Sequence, residues 1–153
     1  MPSSYPLPPL PPLARWLGFA GLLPQLAMVA VLIQGRLDER FIALSIAYAY
    51  AALILSFLGG LWWGLAARAE RPPSWLWYAS VAPSLIALAS AWPWAVGEPW
   101  PSPSLIALGL ALIGSLAVDW ALARDGIAPP GWMALRLPLS LGLGGLTIVA
   151  ALV

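Results

Sequence analysis

The sequence predicts an all-α, polytopic membrane protein, a bundle of five transmembrane helices with its N-terminus in the cytoplasm. Three observations predict it. Hydrophobic side chains make up 61% of the 153 residues and charged ones only 8%, far below the roughly 25% of a soluble domain. The apolar residues fall into five runs, each near the ~20 residues that cross a bilayer. The charges collect in the breaks between the runs.

Residues 1–12 form a proline-rich N-terminal arm, with six prolines among Leu, Ser and Tyr. Such density disfavours helix and favours an extended, polyproline-like chain. The arm lacks the charged, then apolar, then small-residue order of a cleavable signal. The five-helix transmembrane domain occupies 13–153, with spans at about 13–33, 41–67, 75–94, 104–123 and 133–153. The breaks hold Arg36, Asp38, Glu39 and Arg40, then Arg68, Glu70 and Arg71, then Glu98, then Arg124 and Asp125. Short connections make neighbouring helices antiparallel.

Arginine sets the orientation, because positive residues near membrane ends stay in the cytoplasm. Arg15, Arg68, Arg71, Arg124 and Arg136 fall on the N-terminal side, against Arg36 and Arg40 on the other. All ten tryptophans lie near expected span ends, where an indole buries its ring and keeps its N–H wet. Interfacial anchoring accounts for every one of them.

In lipid the apolar effect does not draw helices together, so close contact needs small residues. Ala52, Ser56, Gly60 and Gly64 recur every fourth residue on the second span, and Gly59 widens that face. Ser80 and Ser84 on the third span, Ser115 and Asp119 on the fourth, and Arg136, Ser140 and Thr147 on the fifth form similar stripes.

Composition removes several chemistries. The chain has no Cys, His, Lys or Asn. That leaves no ordinary metal, haem or iron–sulfur ligand set, no lysine Schiff base and no imidazole-assisted nucleophile, so neither an enzyme nor a cofactor is expected. Seven scattered arginines at a net charge of +1 do not suit nucleic acid. Asp119 is the one acid well inside a span, where an isolated charge is costly. Arg136 stands at similar depth across one short loop, so the two are expected to pair. The pair reads either as a clamp between the last two helices or as a proton or anion site. Gln25, beside Pro24 near the middle of the first span, reads as interhelical glue or as a ligand contact at a kink, and Ser84 beside Pro83 likewise.

The run Leu55-Ser56-Phe57-Leu58-Gly59-Gly60 with Trp63-Gly64, then Ser80-Val81-Ala82-Pro83-Ser84-Leu85, then Asp119, then Pro130, Trp132 and Leu135-Arg136 resembles the uncharacterised membrane family termed domain of unknown function 3429, relatives of transmembrane protein sixty-nine. The resemblance implies a small multi-pass protein of bacterial inner or mitochondrial inner membranes and brings no activity. The missing Lys and the missing Arg-rich presequence point to the bacterial inner membrane.

Two functions are compatible with these residues. The first is an accessory, assembly or structural component that contacts a membrane-protein partner or a second copy of itself through one uncovered small-residue face. The second is a carrier or binding protein for a hydrophobic or weakly acidic small molecule, with Asp119, Arg136, Ser84, Ser56 and Gln25 at its site. The second requires a cavity beside those residues.

Overall fold

The computed structural model describes residues 8–35 and 37–153. Residues 1–7 of the proline-rich arm, and Arg36, lie outside the described residues. All regular structure among the described residues is helical.

The first apolar run is two helices, α1 (Pro12–Ala20) and α2 (Leu23–Ile33), joined through Gly21 and Leu22. Pro12 opens α1, where a missing N–H costs nothing. Pro24 cannot donate to the carbonyl four residues back, so the ladder is interrupted there. The Tyr50 hydroxyl donates to the Gly21 carbonyl beside this break. The next helix, α3 (Leu37–Arg68), has 32 residues and is ~48 Å long, so it overreaches a ~30 Å hydrocarbon core.

The third run, read as 75–94, is helical over α4 (Ser74–Ser90) and then breaks into a single turn, α5 (Trp92–Ala95). Pro93 has no N–H to continue the ladder, which ends α4 at 17 residues or ~25 Å. The fourth run is α6 (Ser102–Gly114) and α7 (Leu116–Arg124), interrupted at Ser115, a Gly-Ser pair of the kind that bends helices. The last, α8 (Trp132–Leu152), follows Gly131, whose φ of +81° suits only glycine without strain. Among the described residues four helical stretches are long and apolar enough to cross a membrane: Pro12–Ile33, Leu37–Arg68, Ser102–Arg124 and Trp132–Leu152.

Helix α3 lies at the centre and touches α2, α4, α6 and α8. Its buried face runs through Ala47, Ala51, Leu55, Leu58, Trp62 and Ala66, the three- and four-residue spacing of one helical side. Leu53 on α3 and Leu88 on α4 are exposed on the outside of the bundle.

The closest approaches are made by glycine. A Cβ on Gly59 would collide with the Ser80 carbonyl oxygen of α4. Gly109 of α6 and Gly144 of α8 face each other so closely that a Cβ on either would stand 2.7 to 2.8 Å from the other's carbonyl oxygen.

The small-residue stripe read on the second span is thereby corrected. Gly59 packs, but Gly60 and Gly64 are exposed, with nothing within 4 Å of a Cβ at either position. Ala52 and Ser56 are half-buried. The reason is helical phase: α4 crosses α3 on the side of Leu55 and Gly59, about 100° away from Gly60.

Candidate functional site

Two ladders of polar residues at four-residue spacing meet where α7 and α8 pack. On one side are Ser115 and Asp119, and on the other Trp132, Arg136 and Ser140. Four-residue spacing stacks each set on one face of its helix, and the short loop of residues 125–131 brings the faces together.

Asp119 is fully buried and accepts three hydrogen bonds. Arg136 Nε donates to Oδ2 at 2.7 Å. Trp62 Nε1 from α3 and Trp132 Nε1 from α8 both donate to Oδ1, at 2.9 and 3.0 Å. Each indole satisfies its own N–H while neutral donors spread the carboxylate's charge. Arg136 continues the network through Nη2, which donates to Ser140 Oγ at 2.9 Å and to Ser115 Oγ at 3.4 Å. Ser115 Oγ donates in turn to the Leu112 carbonyl at 2.6 Å, across the α6–α7 break. Arg136 Nη1 has no hydrogen-bond partner among the described residues.

A cavity of about 410 Å³ opens beside this network, between α1, α3 and α8. Leu17, Gly18, Leu58, Leu135, Leu139 and Leu143 form much of its wall, and Arg136 and Ser140 stand at its polar end. A site of that size, apolar with a few convergent polar groups, is the form taken by small-molecule pockets.

The structure brings together two of the five residues read as candidate site members, Asp119 and Arg136. Ser84 is exposed on α4 and makes no bond to the Asp119 network; Pro83, not Ser84, is the buried member of that pair. Ser56 is half-buried on α3 and outside the Asp119 network. Gln25 is fully buried but bonds elsewhere: its Nε2 donates to Thr147 Oγ1 at 3.0 Å, and Thr147 donates to the Leu143 carbonyl at 2.7 Å. Gln25 Oε1 has no partner among the described residues.

The reading of every tryptophan as an interfacial anchor is also corrected. Trp62 and Trp132 are 2% and 6% exposed and serve as donors to Asp119. Trp16, Trp63, Trp75, Trp92, Trp94 and Trp120 are exposed in the manner of anchors. Trp132 was signalled by its position four residues before Arg136. Trp62 was not, because adjacent Trp62 and Trp63 are indistinguishable until the rotation of α3 is known. Among the described residues no group of three or more His, Cys, Asp or Glu stands close enough to hold a metal ion.

Long apolar helices packed through glycine, with a deep ion pair turned inward and large apolar side chains turned outward, define a helical multi-pass membrane protein. Within that class, the chain belongs to the family described as Protein of unknown function (DUF3429), whose model matches residues 10–153. No curated protein and no solved structure matches it.

Proposed function

We propose that this chain is a non-catalytic binding protein that holds a lipid-soluble molecule in the cavity between α1, α3 and α8. The observation that carries the reading is the junction of apolar wall and buried guanidinium: an opening of about 410 Å³ with Arg136 and Ser140 at one end. A guanidinium with an unused amino group beside an apolar void is poorly solvated by its own protein, and a ligand acceptor there would relieve that.

The reading includes five membrane crossings, α4 being the short one, with the N-terminus in the cytoplasm and residence in a bacterial inner membrane. The five-to-two arginine distribution supports that orientation. It puts the cavity, which Leu10, Ala14 and Trp132 also line, near the cytoplasmic leaflet.

The test is purification in a mild detergent followed by native mass spectrometry of the intact protein and of its Ala14→Phe variant. Ala14 lines the cavity, and phenylalanine there fills it. Retention of one bound lipophile by the parent and its loss from the variant supports the reading. Equal retention by both proteins sinks it.

A second reading, an accessory or assembly component, draws on a different observation. Gly60 and Gly64 stand one turn apart on the outside of α3 with no neighbour, a surface on which another helix can approach closely. Cross-linking at Gly60→Cys and Gly64→Cys in native membranes separates the cases: a discrete adduct supports it, and none leaves the face to lipid.

A further inference from the structure

The chemistry of the cavity's polar end bears on what it accepts, and the following rests on the binding reading above. We propose that its ligand group is a neutral carbonyl oxygen carried on a hydrocarbon chain, and not an anion. Arg136 is already neutralised by Asp119, 2.7 Å away and fully buried. An anion at Nη1 would therefore enter as an unbalanced charge in a water-poor site, where desolvation exceeds the gain from a pair that is already made.

A carbonyl brings no net charge. It accepts the N–H that the guanidinium has left over once Nε serves Asp119 and Nη2 serves Ser140 and Ser115. The wall supplies the rest of the fit. Leu17, Leu135, Leu139 and Leu143 offer only apolar contact along its length, which suits an alkyl or isoprenoid chain and no second polar group. Arg15 is the other cation nearby, with Nη2 3.4 Å from where a Gly131 Cβ would stand. It is exposed, so its charge is screened at the membrane surface and does not alter the interior balance.

Two sources carry this chemistry: the acyl ester of a bilayer phospholipid, and a free ketone-type or quinone-type lipophile. The experiment uses the full chain in nanodiscs of ether-linked phosphatidylcholine, which has no ester carbonyl. The probe is methyl nonyl ketone with an isotope-labelled carbonyl carbon, read by NMR, with undecane and undecanesulfonate as competitors at equal mole fraction in the bilayer.

The proposal expects a saturable, hydrogen-bonded carbonyl resonance that undecane displaces about tenfold less well than unlabelled ketone does, and undecanesulfonate about a hundredfold less well. The double variant Asp119→Asn with Arg136→Met keeps the site neutral and leaves no N–H donor in the side chain at position 136. It should still admit undecane while losing the preference for ketone. In ester-linked lipid, ketone affinity about tenfold weaker identifies the phospholipid ester as the resident ligand, and unchanged affinity identifies a free lipophile; both retain the carbonyl assignment. Competition by undecanesulfonate equal to that of ketone overturns it, as does a ketone preference that survives in the double variant. Undecane equal to ketone also overturns it while leaving the cavity reading intact. Only a parent protein that saturates with no probe, just as Ala14→Phe does, would take the cavity reading down with it.

Discussion

Asp119 and Arg136, seventeen residues apart in sequence, meet side on at 2.7 Å through a single Nε–H to Oδ2 bond, with the carboxylate's other oxygen held by two indoles. The pairing uses only part of each group. That leaves Arg136 free to brace Ser115 and Ser140 while two helices outside the pair's own loop, α3 and α6, are tied to the same point.

Removing one partner of this pair strands the other in a buried site. Arg136→Leu should destabilise the folded protein by about 3–5 kcal/mol, whereas the neutral pair Asp119→Asn with Arg136→Gln should cost far less. Unfolding in detergent micelles with increasing denaturant measures both. A double variant no more stable than the single one would remove the charge-stranding argument.

The two indole bonds share Oδ1, so they should not act independently. Trp62→Phe and Trp132→Phe should each cost about 1.5–3 kcal/mol, as donors to a charged group. Because they share an acceptor, their combination should depart from the sum by at least ~0.5 kcal/mol. A double-mutant cycle on unfolding free energies reads the coupling. Strict additivity would mean that the two rings act only by filling space.

Neighbouring glycines on α3 should respond oppositely to the same methyl group. Gly59→Ala drives a Cβ into the Ser80 carbonyl and should cost about 1–3 kcal/mol as α3 and α4 separate. Gly60→Ala meets nothing and should stabilise by about 0.5–1 kcal/mol through helix propensity. Thermal unfolding of the two variants side by side decides the matter, and equal shifts would contradict the packing described.

Gln25 and Thr147 give an asymmetric pair of substitutions. Gln25→Leu removes a bond but also the stranded Oε1, so it should fall within about 1 kcal/mol of the parent. Thr147→Val leaves the whole amide buried without a partner and should cost about 1–3 kcal/mol. Stability measured for both in the same detergent tests the ranking. Gln25→Leu as the worse of the two would show that the amide has partners other than Thr147.

Much of the site was legible because its parts repeat at four-residue spacing. Ser115 with Asp119, and Arg136 with Ser140, needed only helical periodicity and one short loop to be placed face to face. Ser84 was misplaced and Gln25 was left between two readings, interhelical glue and ligand contact, for one shared reason: polarity inside a span signals that a partner exists but not which one. Ser84 had Pro83 turned inward in its place, and Gln25 found Thr147 on α8.

Taken alone, the sequence determined the solvent, the helical segments and the presence of one deep ion pair. Those depend on hydropathy, run length, proline and the cost of a lone charge in hydrocarbon, all local quantities. The tertiary structure decided that Trp62 and not Trp63 reaches Asp119, that Gly59 and not Gly60 meets α4, and that an opening remains beside Arg136. These follow from how each helix is rotated about its axis. A helix that is apolar all round has no polar face to set that rotation, so only contact with its neighbours can fix it.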